Sequence, residues 1–496
     1  MKILSFKKLT QGCTFLALIF ILQACSVNPV TGKREVMFVS ESQEIAMGKN
    51  ADPSIVAQFG LYQDETIQKF IDDRGQEMAA ISHRPHLDYE FKVLDSPVIN
   101  AFALPGGYVY FTRGILAHFN NEAEFAGVLG HEIGHITARH GAAQQSQQIL
   151  GQSLFVVGVI ASPQFRGMSD VAAQSLGLMF LKFGRDDETQ SDKLGVEYST
   201  KIGYDASKMA NFFGTLKRIR VEAGAEEIPT FMSTHPDPGD RYNEVGRLAA
   251  EWQAKYPGQN FKVNREPYLR MIDGLTYGED PRQGYVENNV FYHPDLKFQF
   301  PTPAGWRVNN TPTQVQIFPE DGKAAILMSL AQGSSLDEAA NSLVENSQLT
   351  VIDRQNTTVN GNPAIEMTST STSQNSQGQE QTIRVKTYLI QYGGNIYNFN
   401  GLALETDFPN YNSRFLNTMR GFRVLNDASK INVFPDVVKI KTAPRTMTLR
   451  EGLKMHGTPD NRLDEVAILN QMQLTDQVTA GFLFKTLGKM NNTQGK

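Results

Sequence analysis

The chain has 496 residues, a formal net charge of −5 at pH 7 and a hydrophobic content of 41%. This slightly acidic balance gives no support for nucleic-acid binding as the main role, and we expect no nucleic-acid partner. A chain of this length is too long for one hydrophobic core, so it predicts two or three domains.

The first 24 residues have the pattern of a bacterial secretion signal. A basic start precedes an apolar segment, residues 12–22, which is too short to cross a membrane as a helix. The segment ends in Leu22-Gln23-Ala24-Cys25, which resembles the lipoprotein cleavage box. That resemblance implies removal of residues 1–24 and a lipid on Cys25. An ordinary signal peptide with a cysteine here by chance is the alternative.

Cysteine usage agrees with a lipid on Cys25. Cys13 would be lost with the signal, so the mature chain would have no second cysteine for a disulfide. In a Gram-negative host, Ser26 stands where an aspartate would retain a lipoprotein at the inner membrane. We therefore expect an anchor in the outer membrane that faces the periplasm, stable if it carries more than one acyl chain.

The most informative segment is His131-Glu132-Ile133-Gly134-His135. Residues four apart share a helical face, so both imidazoles can reach one zinc ion. Glu132 can then take a proton from the attacking water as the general base of peptide hydrolysis. A pair of ordinary core histidines is the alternative interpretation.

The flanking residues predict that this segment is a buried helix. Asn120 or Asn121 is suited to cap the N-terminus, and carboxylates follow in the first turn. An apolar stripe then continues through Phe125, Val128, Leu129 and Ile133. His140 projects from another face, so we expect it to cap or pair locally rather than to bind the metal.

A catalytic zinc ion needs a third protein ligand, and Glu188 is the best candidate. Glu188 and Asp192 lie four residues apart and share a helical face. One can bind the metal while the other accepts the free ring N–H of a zinc histidine. An acidic, solvated helix start is the alternative.

These segments resemble two motifs of one family. Residues 121–140 match N-E-A-E-L-A-x-V-L-x-H-E-x-x-H-x-x-x-R-H. Residues 184–192 match S-R-x-x-E-x-x-A-D, with Gly184 in place of Ser and Ser191 in place of Ala. Both motifs are typical of the zinc metallopeptidase family that includes the CAAX prenyl protease, HtpX and BepA. The resemblance implies one Zn²⁺ ion per chain, bound by His131, His135 and Glu188.

Two further segments resemble the same family, so that the likeness covers roughly residues 28 to 275. One is residues 100–108, and the other is residues 233–236 followed by Arg241. In relatives of the BepA type, the histidine of the last motif blocks the open zinc position, so the resemblance implies that His235 is a gate. His235 or Arg241 is also a candidate for stabilising the oxyanion. A purely structural turn set by the nearby prolines is the alternative.

The rest of residues 25–275 predicts a mainly helical, zincin-like peptidase domain with a small sheet. Ser40 and Gln43 resemble a capping box, and residues 89–93 and 108–111 alternate as strands do. An edge strand near the site could bind substrate through backbone hydrogen bonds. Residues 149–161 and 171–183 predict helices that pack in the core or cover the site.

Glycines and a proline between residues 274 and 284 predict a boundary, after which the pattern changes. Residues 286–425 predict an independent α+β accessory domain for packing or substrate docking, with a helix at 335–343. The Ser-, Thr- and Gln-rich tract 368–381 predicts a mobile hairpin tip or loop.

Residues 430–496 more weakly resemble a LysM glycan-binding repeat. Segments 448–453, 469–472 and 480–482 follow its order, but the usual Gly-Asp-Thr is missing. Peptidoglycan contact through this small LysM-like region is one expectation, and a divergent helical cap is the other.

The sequence therefore predicts an α+β chain and a zinc-dependent endopeptidase, lipid-anchored at Cys25 in the bacterial cell envelope. The family resemblance implies misfolded or stalled envelope and outer-membrane proteins as substrates. Two alternatives remain. One is a non-degradative outer-membrane assembly factor or chaperone with a zinc site gated by His235, and the other is a peptidoglycan-directed hydrolase.

Overall fold

The computed structural model describes residues 25–150, 183–222, 230–236, 240–374 and 380–490. The predicted signal peptide and most of the segments 149–161 and 171–183 lie outside the described residues. The described chain is mainly helical before residue 275 and rich in strands after it, which confirms the α+β prediction. Within the described ranges, no helix is both long enough and apolar enough to cross a bilayer.

Helices dominate residues 25–277, around a small sheet. The helices are α1 (Glu41–Phe59), α2 (Glu65–Ala79), α3 (Arg113–His118), α4 (Glu122–Thr137), α5 (His140–Leu150), α6 (Arg185–Lys201), α7 (Lys208–Glu222), α8 (Thr230–Thr234), α9 (Arg241–Gln253) and α10 (Arg265–Met271). The strands are β1 (Cys25–Val27), β2 (Arg34–Val36), β3 (Glu90–Leu94), β4 (Ala101–Leu104), β5 (Tyr108–Thr112) and β6 (Thr276–Tyr277). In one three-stranded sheet, β5 lies parallel to β3 and antiparallel to β4, so β4 is an edge strand.

The helix that carries the HExxH segment, α4, lies in the middle of the main core. Asn121 caps it by accepting the backbone N–H of Glu124 at 2.9 Å, as the sequence predicted. Its apolar stripe is fully buried, together with apolar residues of α2, the β3–β5 sheet and α7. Polar side chains on a helix this deeply buried need partners, because an unpaired polar group in a core is costly.

The hairpin of β1 and β2 is fastened directly to this core. The two strands are antiparallel, with Cys25 opposite Val36. Asn28, in the turn between them, is buried, and its Nδ2 donates to the carbonyl oxygen of Ala138 at 3.3 Å. Ala138 is the C-cap of α4, so the hairpin touches the end of that helix.

Residues 285–425 form a second core between two antiparallel sheets. Their strands are β7 (Tyr285–Glu287), β8 (Val290–His293), β9 (Phe298–Pro301), β10 (Arg307–Asn310), β11 (Gln314–Phe318), β12 (Ala324–Leu330), β13 (Thr350–Val359), β14 (Asn362–Gln374), β15 (Glu380–Tyr392), β16 (Asn395–Leu404) and β17 (Arg423–Val424). The larger sheet has seven strands in the order β10-β11-β12-β16-β15-β14-β13, and the smaller has the order β17-β9-β8-β7. The helices are α11 (Leu336–Asn346), near the predicted 335–343, and α12 (Phe408–Arg420). A 3₁₀ helix, Pro281–Gln283, precedes them.

The tract 368–381, predicted as a mobile hairpin tip or loop, lies in a hairpin, and most of its described residues belong to the two strands. Strand β14 continues to Gln374, which pairs with Glu380 of β15, and residues 375–379 lie outside the described residues. Threonine favours strands through its branched side chain. The Oγ1 atoms of Thr372 and Thr382 lie 3.2 Å apart across the ladder. The polar composition is therefore that of paired hairpin strands rather than of a loop.

The C-terminal region packs against the part of the chain that contains α4. Its elements are α13 (Ala428–Ile431), β18 (Asp436–Thr442), β19 (Met447–Thr448), α14 (Leu449–Met455), the 3₁₀ helix Asp460–Arg462, α15 (Leu463–Leu469), β20 (Gln477–Val478) and β21 (Leu483–Lys489). β18 pairs with both β21 and β6, and β19 pairs with β20 around α14 and α15. Val438, Leu469 and Leu483 belong to the same core as Phe125 of α4.

Candidate metal centre

Two helices cross at glycines, and this crossing builds the site. A Cβ atom added to Gly195 of α6 would lie 2.9 Å from the carbonyl oxygen of Gly127 and 3.1 Å from the backbone nitrogen of His131. A Cβ atom added to Gly130 would lie 3.0 Å from Cα and from the carbonyl oxygen of Gly195. Only glycine permits backbones to approach this closely. The spacing of Gly127 and Gly130 along α4 is a sequence signal that could have predicted this close helix contact.

The crossing brings His131, His135 and Glu188 together, and His235 joins them from another helix. All four side chains are buried and could bind a metal ion, because their donor atoms lie within 4.8 Å of one another. Nε2 of His131 lies 3.0 Å from Nε2 of His135 and 3.5 Å from Oε2 of Glu188. Nδ1 of His235 lies 3.0 Å from Oε1 of Glu188 and 3.3 Å from Nε2 of His131. Ligands bound tetrahedrally at about 2.0–2.1 Å stand about 3.3 Å apart. The donor set therefore fits one zinc-sized ion.

Asp192 and Arg241 contact His131 at Nδ1, on the side of the ring away from the other donor atoms. Nδ1 of His131 lies 2.9 Å from Oδ1 of Asp192, one turn along α6 from Glu188. Arg241 donates to both oxygens of Asp192, at 2.8 Å and 2.5 Å, and its guanidinium lies 4.0 Å from the ring centre of Phe213. Burial opposes ionisation of Asp192, but the positive charge of Arg241 and the contact with His131 lower its pKa to about 2. An ionised Asp192 accepts the Nδ1 proton of His131 and leaves Nε2 free for a metal.

His135 is held by aromatic side chains. Its Nδ1 lies 3.0 Å from Nδ1 of His140, which pairs locally as expected, and Phe183 stacks on its ring at 4.0 Å. Burial, reinforced by the charge of neighbouring groups, lowers the pKa of His135 well below its usual range. The neutral imidazole is the form that binds metals.

Glu132 differs from every other polar group of the site, because neither of its carboxylate oxygens finds a hydrogen-bond partner among the described residues. The side chain is fully buried, and its nearest basic atom is Nε2 of His235, at 3.7 Å. Burial raises the pKa of Glu132 against the opposing charges of His235 and His131. A buried carboxylate with a raised pKa is suited to carry a proton in catalysis.

His235 completes the donor set from the end of α8. Phe231, one turn earlier, stacks on its ring at 4.5 Å. Burial disfavours the charged ring, but the carboxylates of Glu188 and Glu132 outweigh it and raise the pKa of His235. Its Nε2 has no hydrogen-bond partner in the described part of the chain. Residues 237–239, which follow, lie outside the described residues.

Comparison with known proteins gives one family and several relatives. Residues 66–249 match the model of Peptidase family M48. The beta-barrel assembly-enhancing protease of Yersinia pestis is 29% identical over 239 residues, 46% of this chain and 48% of that protein. The protein of the same name from Escherichia coli (strain K12) is 27% identical over 42% of this chain and 45% of its own length.

A plant relative also matches the peptidase region. The mitochondrial metalloendopeptidase OMA1 of Arabidopsis thaliana is 32% identical over 173 residues, 35% of this chain and 34% of that protein. The chain thus spans half or less of the length of these curated relatives.

Proposed function

We propose, from the match of residues 66–249 to the model of peptidase family M48, that the chain is a zinc-dependent endopeptidase of the bacterial cell envelope. The observation that carries the proposal is the fully buried carboxylate of Glu132, which has no hydrogen-bond partner among the described residues and lies beside the four metal-donor side chains. A buried charge without partners is too costly to persist unless a ligand or a reaction uses it.

The side chains divide the work as follows. His131, His135 and Glu188 hold zinc, which supplies a Lewis acid that polarises a peptide carbonyl and acidifies water. Glu132 takes a proton from the attacking water and gives it to the leaving amine. Asp192 orients His131 through a hydrogen bond with its Nδ1.

Arg241 forms ion pairs with the carboxylates of Asp192 and Glu188, at 2.5 Å and 3.3 Å, so we assign it a positioning role. The oxyanion is then left to His235.

The substrates we propose are misfolded or stalled envelope and outer-membrane proteins. Two relatives bear the name beta-barrel assembly-enhancing protease, which supports this class. The edge strand β4 packs against α4, so an extended substrate segment could add to the sheet beside the site through its backbone. Such binding accepts many sequences, as a quality-control protease requires.

We further propose a lipid on Cys25, in the outer membrane and facing the periplasm. Incorporation of a labelled fatty acid into the wild type and not into Cys25→Ser tests the anchor. Peptidoglycan contact through residues 430–496 is a weaker proposal, since Leu469 and Leu483 of that region are buried in the core around α4. Retention of the purified chain on sacculi tests it.

A second candidate function is supported by the position of His235. With Nδ1 of His235 included, the donor set has four protein atoms. A catalytic zinc site usually has three protein ligands and keeps its fourth position open. An assembly factor or chaperone whose peptidase is held closed by His235 would have this arrangement. Protein cleavage that appears only in His235→Ala would favour it over a constitutive protease.

The deciding experiment measures zinc content and casein cleavage for the chain from Ser26 onward, wild type beside Glu132→Gln. We expect one zinc ion per chain in both and cleavage in the wild type alone, because the variant loses only the general base. Equal cleavage by the variant would remove Glu132 from the mechanism. Zinc without cleavage in either protein would favour the gated candidate.

A further inference from the structure

We propose that His140 is a positioning residue of the metal centre, which accepts the outer N–H of His135 and so fixes the nitrogen that His135 presents to the metal. The inference rests on the proposed zinc site. It concerns a histidine of the helical motif that lies outside the metal donor set.

The two histidines of the HExxH segment have different outer partners. Nδ1 of His131 lies 2.9 Å from a carboxylate oxygen of Asp192. Nδ1 of His135 reaches no carboxylate among the described residues, and its neighbour is Nδ1 of His140, at 3.0 Å. His140 is buried and begins α5, five residues after His135.

The proton positions follow from these distances. Nε2 of His135 faces the donor set, 3.0 Å from Nε2 of His131 and 3.6 Å from Oε1 of Glu188. The proton of His135 is therefore on Nδ1 and is donated to Nδ1 of His140, which must be unprotonated. The proton of His140 is then on Nε2, where Oε1 of Gln190 accepts it at 2.9 Å.

Helix α6 supports the outer end of this chain of hydrogen bonds. Besides Gln190, it contributes the hydroxyl of Ser191, 3.3 Å from Nδ1 of His140, and a carboxylate oxygen of Asp187, 3.7 Å from its Nε2. One helix thus carries the proposed third ligand, Glu188, and supports the outer partners of both histidines. Loss of such an outer partner typically weakens metal binding about 10–100-fold.

A packing role is the competing explanation, because the rings of His140 and Phe183 are 6.2 Å apart in a buried environment. Two variants separate the explanations. In His140→Phe the new ring fills the space of the imidazole, but the hydrogen-bond acceptor is lost. In His140→Asn the Oδ1 atom can accept in place of Nδ1, but the smaller side chain packs more loosely. Positioning predicts that the Asn variant binds zinc more tightly than the Phe variant, and packing predicts the reverse.

The experiment uses the whole mature chain with Glu132→Gln as the parent, so that the protein does not digest itself. Zinc affinity is measured by competition with a chelator, and the absorption spectrum of the Co²⁺-loaded protein reports the ligand geometry. We expect His140→Phe to bind zinc about 10–100-fold more weakly than the parent, with an altered Co²⁺ spectrum. His140→Asn should stay within a few-fold of the parent. The control His86→Phe, at an exposed histidine beside Glu41, should equal it.

Parental zinc affinity in His140→Phe, or affinity at least as high as in His140→Asn, would overturn the inference alone. Absence of zinc from the parent would overturn the proposed function and the inference with it. If His140→Phe does not fold, Gln190→Leu gives the same test from the outer end. A several-fold loss of zinc affinity supports the inference, and no loss overturns it.

Discussion

The ammonium nitrogen of Lys485 lies 2.7 Å from the carbonyl oxygen of Phe119, although the two residues are 366 positions apart in the chain. The same nitrogen donates to the carbonyl oxygens of Ala117 at 2.7 Å and Leu469 at 3.0 Å. These carbonyls lie at the ends of α3 and α15, where a positive charge is favourable. Because Phe119 directly precedes the start of α4, the C-terminal strand β21 fastens the segment that leads into the helix of the metal centre.

Replacing Lys485 by methionine should therefore destabilise the whole peptidase region. The variant keeps the length of the side chain but leaves buried carbonyl oxygens without a donor, which costs about 1–3 kcal/mol for each group. We expect the free energy of unfolding in urea to fall by at least about 2 kcal/mol. Lys489→Met is the matched control, four residues along the same strand and 71% exposed, and should change it by less than about 0.5 kcal/mol. Equal stability of the two variants would contradict a fastening role for Lys485.

A pH dependence follows from His118, whose Nδ1–H donates to the carbonyl oxygen of Gly114 at 2.7 Å. Burial lowers the pKa of His118 to about 4 from its ordinary value of 6.5. Below pH 6.5 the unfolded chain takes up a proton that the folded chain refuses until about pH 4, so the free energy of unfolding falls as the pH falls through this window. The full effect is about 3 kcal/mol, at roughly 1.4 kcal/mol for each unit.

The measurement compares urea unfolding of wild type and His118→Gln at several pH values between 4 and 7, with a chelator present to remove contributions from bound metal. The glutamine can still donate to Gly114 but does not titrate. The variant should lose less stability on acidification than the wild type, and parallel curves would show that His118 does not titrate as described.

Alanine should have opposite effects at two helical glycines, one at the crossing of α4 and α6 and one outside it. Gly195→Ala places a methyl group 2.9 Å from the backbone oxygen of Gly127, so α4 and α6 must move apart. We expect lower thermal stability and weaker zinc binding, because Glu188 and Asp192 move with α6. Gly246→Ala, in α9, meets nothing within 4 Å and should stabilise the chain by up to about 1 kcal/mol through helix propensity. Unchanged zinc affinity in Gly195→Ala would show that the close helix crossing is not needed to position the metal donors.

Glu188→Ala should lower the zinc content of the purified protein, because it removes the only carboxylate of the donor set found in the described residues. Glu197→Ala, on the same helix and ion-paired with Lys201, is the control and should keep full occupancy. Metal analysis after dialysis against a weak chelator gives the result. Full occupancy in Glu188→Ala would point to Asp192 as the third ligand.

Local spacing predicted more of this site than of the fold around it. Residues four apart on a helix share a face, so the positions of His131, His135, Glu188 and Asp192 on their helices followed from the sequence. Their meeting depends on the contact of Gly130 with Gly195, which joins distant segments, and the spacing of one helix does not specify the partner of another. The packing of Lys485 against Phe119 was not foreseen for the same reason, since no local pattern distinguishes a buried lysine from an exposed one.

The hairpin of β1 and β2 limits where such an enzyme could work. Asn28 is the third residue after Cys25, at most about 10 Å away along an extended chain, and it is hydrogen-bonded to the C-cap of α4. A lipid on Cys25 would therefore keep α4 and the metal-donor residues close to the headgroups, because no flexible linker separates the lipid from this helix. Proteins far from the bilayer would then be out of reach of the metal centre, and proteins that emerge at the membrane surface would reach it first. Lengthening the chain ahead of Asn28 would extend its reach, at the cost of that spatial selectivity.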